Sequence, residues 1–398
     1  MDKRKRFAFI RPKAWPLANR IVEGVLKEQF PDHEVDLIDI AALVRKRPGL
    51  ILANSLVTLL LYGKDIALGR KKFRLAFWRT PLIFDRVGKM VRDKIKKGNY
   101  SFSFQMQSLF DASTPGVPHF VYTDHTHLEN LNYTGNRSAN LYSPQWIALE
   151  GEIYHKAAMT FVRSSNVHRS VIEDYECPAE KVALVFAGSN VSVSTAKTAN
   201  TDYTQAAILF VGLDWRRKGG PDLIEAFKIV REKHPDATLT IVGANPEINI
   251  PNCNVVGKVT PQELDYYYQN ASVFCLPTYL EPFGIAFIEA MTARLPIVAT
   301  RVGAIPDFVE EGRNGWLVDP GDTQSIATAL MKLIEKPEMC KSFGEFSFRL
   351  IQDHYSWDAV GRKFQSHILS KLEENKISID EELTGRRKVA DGSRSIQT

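Results

Sequence analysis

The residues best placed for chemistry lie in Thr278-Tyr-Leu-Glu281-Pro-Phe-Gly284-Ile-Ala-Phe-Ile-Glu289-Ala-Met, where two glutamates frame a glycine. The glycine stands at the mouth of an amphipathic helix, with Glu281 before that helix and Glu289 inside it. A helix N-terminus carries unsatisfied N–H groups and a partial positive charge, a ready site for phosphate. Eight residues at about 1.5 Å each put the carboxylates up to ~12 Å apart along a helix. The carboxylates of a retaining glycosidase need roughly 5 Å. The spacing instead suits two ends of one elongated ligand with a phosphate between them.

Two further groups carry chemistry. Ile208-Leu-Phe-Val-Gly212-Leu-Asp-Trp-Arg216-Arg217-Lys218-Gly219-Gly220 reads as a strand followed by a basic, glycine-containing turn. Guanidinium forks and an ammonium both suit phosphate oxygens. Val121-Tyr-Thr-Asp124-His125-Thr126-His127 follows another apolar run, and alternation puts His125 and His127 on one side if the segment is extended. The chain contains no Asp-x-Asp, so a metal-clamped diphosphate lacks that ligand pair. We expect no metal, and no cofactor besides a nucleotide-sugar substrate.

These groups need strands to hold them. Short apolar runs at Phe7–Ile10, Val35–Ile40, Pro118–Thr123 and Met159–Arg163 alternate with helical periodicity, as in parallel βα units. The polar stretch from Asn190 to Gln205 reads as a linker. The alternation then resumes, with strands expected at Ala207–Val211, Thr238–Val242, Val273–Leu276 and Ile297–Ala299. Helices are expected at Pro221–Lys233, Pro261–Asn270, Gly284–Arg294 and Thr323–Glu335. A length of 398 residues accommodates two such domains. Two doubly wound α/β domains facing across a cleft follow, with ligands at the C-terminal ends of the strands.

From Ser272 to Asp322 the order is Glu281, seven residues, Glu289, Pro296-Ile-Val-Ala-Thr300, Gly303-Ala-Ile-Pro306-Asp307, and Gly312-Arg-Asn-Gly315. This resembles the donor-site segment of retaining glycosyltransferases of family 4, which have the GT-B fold of two Rossmann-like domains. The stretch from Ile208 to Gly220 resembles that family's strand and phosphate loop. The resemblance implies an acceptor-side domain over residues 1–195 and a nucleotide-sugar domain over 196–356, with a helix near 357–375 crossing back. It places Glu289 on the nucleotide ribose and Glu281 beside the donor sugar. Backbone N–H groups of Phe283, Gly284 and Ile285 would meet the distal phosphate and sugar. Lys218 would meet the diphosphate, with Arg217, or else Arg216, beside it. His125 would contact a sugar hydroxyl, with Asp124 and His127 as further candidates.

Two positions depart from the family pattern. Leu213 stands where an arginine is usual. Arg11-Pro-Lys13-Ala-Trp15-Pro16 replaces a glycine-rich turn, leaving Lys13 as a possible substitute. The activity implied is metal-independent, retaining hexosyl transfer from a nucleotide sugar to a lipid or glycan acceptor, in synthesis of envelope polysaccharide or glycolipid. The alternatives are a nucleotide-sugar-binding protein with a degenerate site, or transfer to a small soluble acceptor.

Composition limits the setting. Four cysteines without Cys-x-x-Cys pairing argue against a disulfide framework and fit a reducing cytoplasm. The longest uncharged run, Gly49 to Gly63, is shorter than the ~20 residues of a membrane span and reads as a buried helix. Net charge is +5, yet twelve basic and three acidic residues fall between Lys64 and Lys97. There Ile83, Val87, Met90, Val91 and Ile95 form an apolar stripe edged by basic residues. Such a helix either packs on a core or docks on anionic lipid, which would place the enzyme on the inner membrane face. Nucleic acid is not expected, since no recognition module accompanies the charge. The tail from Ile377 reads as disordered.

Overall fold

The computed structural model describes residues 5–13, 18–133, 141–189 and 203–394. Two six-stranded sheets organise them. The first contains β1 (Lys5–Arg11), β2 (His33–Asp39), β3 (Phe102–Met106), β4 (His119–Thr123), β5 (Met159–Val162) and β6 (Val182–Leu184), in the order β2-β1-β3-β4-β5-β6. The second contains β7 (Ala207–Gly212), β8 (Thr238–Gly243), β9 (Cys253–Gly257), β10 (Val273–Leu276), β11 (Ile297–Thr300) and β12 (Gly315–Val318). Its order is β12-β11-β10-β7-β8-β9. Every pairing within the two sheets is parallel. Helices cover such sheets on both faces, so central strands such as β4, β10 and β11 are buried at every residue.

The second sheet has the doubly wound order that reverses at its first strand, which makes β7 and β10 neighbours. The loops leaving those two strands therefore rise side by side. They carry the Arg216–Gly220 turn and the Thr278–Gly284 segment.

The last helix, Trp357–Arg394, returns to the first sheet. Val360, Phe364 and Ile368 are buried in that sheet's core, and the Phe364 ring lies 5.0 to 5.2 Å from those of Phe104, Tyr122 and Phe161. Residues 377–394, where the sequence reads as disordered, continue this helix. No proline follows Pro337, so no residue of this helix lacks the N–H its hydrogen-bond ladder needs. Most of the expected linker, residues 190–202, lies outside the described residues, as does Trp15.

Two expectations about the apolar segments change. The Pro81–Lys97 helix turns Ile83, Val87, Val91 and Ile95 into the core, so its stripe is not open to a lipid surface. The uncharged run forms the Pro48–Ala67 helix, and it is not a buried one. It buries Asn54, Thr58 and Tyr62 and leaves Leu52, Leu56, Leu59, Leu60 and Leu61 exposed. Hydrogen bonds from Asn54 and Tyr62, with Leu50 and Ile51 packed on the core near its start, seat it on the protein.

Truncating Phe364 to alanine removes the ring that ties the last helix to the first sheet. Phe364→Ala should cost about 3–5 kcal/mol, measured by denaturant unfolding. A loss below about 1 kcal/mol would mean that the helix is not part of that core.

Candidate functional site

The loop after β7 and the loop after β10 are joined by an ion pair between the half-buried Lys218 Nζ and an oxygen of the buried Glu281 carboxylate. Main-chain bonds surround it. Tyr279 N donates to the Arg217 carbonyl at 2.9 Å, and Thr278 Oγ1 donates to the same oxygen at 3.1 Å. Arg217 donates from its guanidinium to the Leu280 carbonyl at 2.6 Å. The expected diphosphate partner Arg217 thus braces the Glu281 loop, while Arg216 is exposed. Leu213 is exposed too.

Close approach of the two loops requires Gly219. Its φ is +72°, and a Cβ there would come within 1.8 Å of the Pro277 carbonyl oxygen. Gly284 plays the corresponding part in the second loop: at φ +97° it opens the Ile285–Thr292 helix, and a Cβ would meet Phe287 at 2.8 Å. Phe283 is buried against Phe308, with ring centroids 6.3 Å apart. The Phe287 N–H donates to the Gly284 carbonyl at 3.0 Å, while the N–H groups ahead of it in the first turn have no acceptor within the helix. An ammonium and these N–H groups thus flank the Glu281 loop, an arrangement that suits an anion.

Glu289 lies one turn further into that helix and is buried. Tyr268 donates its hydroxyl to Glu289 Oε2 at 3.0 Å. Burial, with Glu289 alongside, pushes the Tyr268 hydroxyl well above its ordinary pKa, so it stays a donor. Tyr268 was missed from sequence, where it was one of three consecutive tyrosines on a helix with no distinguishing spacing.

In the first domain, β4 delivers Asp124, His125 and His127. Burial pushes the Asp124 pKa up, but Arg163 at 3.6 Å and the amide of Gln107 at 3.0 Å bring it below its usual value. Asp124 is therefore an ionised anchor. Burial also lowers the His125 pKa, despite Asn130, Asp124 and Glu129. Its Nδ1 is buried with no hydrogen-bond partner among the described residues. His127 differs. The Tyr142 N–H donates to His127 Nε2 at 2.8 Å, and burial, then Arg79, His125 and Lys71, take its pKa down to about 3. His127 is thus a neutral acceptor committed to the main chain. Glu150, also missed from sequence, accepts from His127 N at 3.1 Å, Ser108 at 2.9 Å and the hydroxyls of Tyr154 and Tyr175. Burial raises its pKa.

The two domains meet at this point. Tyr133 donates its hydroxyl to the Glu281 carbonyl at 3.3 Å. Asp307 accepts from Ser165 N at 2.7 Å and from the Ser165 hydroxyl, at the start of the Ser165–Glu173 helix. A cavity of about 640 Å³ between the domains is lined by Asp124, His125, His127 and Arg79 on one side and by Leu280 and Pro282 on the other. The His125 loop and the residues flanking Glu281 share this cavity. Lys218 and Glu289 are not in its lining. Lys13 stands after β1, where its carbonyl accepts from Asn19 at 2.8 Å, and the cavity lining does not include it.

Two facing doubly wound sheets with a site between them define a two-domain α/β protein of the GT-B type, and solved structures agree. HepE of Anabaena, in complex with UDP and glucose, superposes with a TM-score of 0.61 at 14% identity, covering 92% of this chain and 100% of that one. The family model of glycosyl transferases group 1 matches residues 195–349. The D-inositol 3-phosphate glycosyltransferase of Corynebacterium jeikeium is 27% identical over 226 residues, 50% of this chain and 54% of its own. Sulfoquinovosyl transferase SQD2 of Arabidopsis thaliana is 27% identical over 293 residues, 65% of this chain and 56% of its own. The matches span little more than half the length of these curated relatives.

Because the folded pKa of His127 lies near 3 and the free value near 6.5, the unfolded chain binds more protons between those values. Stability is therefore full above pH 6.5 and declines as pH falls through that window. His119, lowered by burial to about 4, acts in the same direction. Denaturant unfolding should show this decline, and His127→Gln, whose amide oxygen can accept from Tyr142, should flatten it. An unchanged slope would contradict the neutral-acceptor assignment.

Proposed function

We propose that this protein transfers a hexose from a nucleoside-diphosphate sugar to an acceptor hydroxyl. The observation that carries the reading is the Lys218–Glu281 pair, set at the switch point beside the uncommitted N–H groups of the Gly284 turn. A diphosphate would compete with Glu281 for the ammonium and take the helix N-terminus as its second support. In this reading Glu289, aligned by Tyr268, accepts from the ribose hydroxyls. Glu281 and the N–H groups of Phe283, Gly284 and Ile285 lie along the sugar and distal phosphate.

His125, kept neutral by burial, would meet a sugar hydroxyl from its place in the cavity lining. Arg217 would act through the loop it braces, with Arg216 and Lys13 at most at the margin. Charge developing on the departing diphosphate is stabilised by Lys218 and main-chain N–H groups, without a metal. The bond from the anomeric carbon to phosphate oxygen breaks as the acceptor oxygen bonds on the same face, its proton passing to the departing phosphate. Configuration is retained. In this reading the acceptor is a glycan or glycolipid intermediate.

A second reading keeps binding without turnover, favoured by Leu213 and by the engagement of Arg217 with Leu280. Assays with UDP-, GDP- and ADP-hexoses separate the two. Transfer or slow hydrolysis of one of them supports the enzyme; tight nucleotide binding with no turnover supports the binding protein. Glu289→Ala should weaken nucleotide affinity roughly tenfold to a hundredfold, the worth of charge-assisted hydrogen bonds. His125→Ala should lower kcat with little change in nucleotide affinity, whereas Glu281→Ala should lower kcat while freeing Lys218 to hold the diphosphate more tightly. Intact transfer in His125→Ala would remove that residue from the site.

A further inference from the structure

The Pro48–Ala67 helix is folded inside out for a helix in water. Beyond Leu50 and Ile51, which pack on the core, its inward face is polar: Asn54 donates to the Phe77 carbonyl at 2.7 Å and accepts from Thr80, and Tyr62 donates to the Arg79 carbonyl at 2.8 Å. Thr58, between them, donates to the Asn54 carbonyl at 2.7 Å. The outward face holds Leu52, Leu56, Leu59 and Leu60, which are 66%, 56%, 51% and 84% exposed. At 100° per residue these four, with Ala53 and Gly63, fall on one side, opposite Asn54, Thr58 and Tyr62. A water-facing helix places these two sets the other way round. An apolar patch of this kind marks an interaction surface.

The surroundings identify the partner by charge. From Arg45 to Arg74 there are eight basic residues and one acidic residue, Asp65. Arg45, Lys46 and Arg47 are exposed just before the helix, and Lys64, Arg70, Lys72 and Arg74 are exposed at its end and after it. Leu68, Phe73 and Leu75, also exposed, extend the apolar face into that second basic cluster. Pairing this face with a second copy would bring cationic flanks together. An anionic phospholipid surface accepts both features, leucines among acyl chains and cations among headgroups.

Twenty residues could cross a bilayer by length. The hydrogen bonds of Asn54 and Tyr62 hold one side of the helix against the protein, so it can only lie along the membrane.

We propose that the Pro48–Ala67 helix docks the protein in the plane of an anionic membrane through Leu52, Leu56, Leu59 and Leu60. The docked face is continuous with the interdomain cavity, whose lining includes Arg70 and Leu75. A polar head drawn from the membrane plane would enter beside these residues. Docking itself does not depend on the transfer reaction.

Flotation with vesicles of phosphatidylcholine alone, and of phosphatidylcholine with phosphatidylglycerol, tests the proposal. The wild-type protein should float with the anionic vesicles and far less with the neutral ones. Leu56→Gln/Leu60→Gln should reduce partitioning by on the order of tenfold or more. Both substituted positions point outward, so the thermal melt should be unchanged and confirm the fold. Wild-type protein that stays behind in the anionic samples would overturn the proposal, as would a double variant that floats equally well. A wild-type dimer that the double variant converts to monomer, with no vesicle binding by either, would reassign the face to self-association.

Discussion

A single half-buried ammonium on a buried carboxylate, Lys218 on Glu281, fixes the geometry on which the rest of the site depends. Burying two charges is costly, and the cost is offset only where position is exact and neighbouring polar groups are satisfied. The protein meets that condition with backbone. Arg217 and Thr278 tie the two loops together, and Gly219 lets them touch where any side chain would collide with Pro277. The strand order makes the loops neighbours in the first place, because the sheet reverses between β7 and β10.

The same segment also reaches the other domain. Tyr133 binds the Glu281 carbonyl, and Asp307, from the turn after β11, binds the start of the Ser165–Glu173 helix. An arrangement that would hold a donor is thus also the arrangement that positions the His125 loop across the cavity. Within that loop the two histidines are distinguished by hydrogen bonding. His127 accepts from a main-chain N–H, whereas His125 Nδ1 has no partner among the described residues.

Much of this was legible in the residues because local signals agreed with the fold. Buried parallel strands read as apolar runs, and Gly219 and Gly284 stood where backbone had to approach backbone. The strand β3 escaped because Ser103 and Gln105 alternate with its phenylalanines. Both are buried polar groups, bonded to His119 and to the carbonyls of Gln107 and Phe110. Tyr268 and Glu150 escaped for a related reason: their roles are set by tertiary partners far along the chain. The Pro48–Ala67 helix misled because an uncharged run looks buried, and only tertiary contacts reveal that its few polar residues face inward. The polar composition of the final helix's last part reads as disorder.

A crystal structure with a bound nucleoside diphosphate tests the central claim most directly. The account predicts Lys218 Nζ moved from Glu281 onto a phosphate oxygen, the N–H groups of the Gly284 turn on the same phosphates, and ribose hydroxyls on Glu289. A nucleotide bound elsewhere, with the Lys218–Glu281 pair intact, would contradict it.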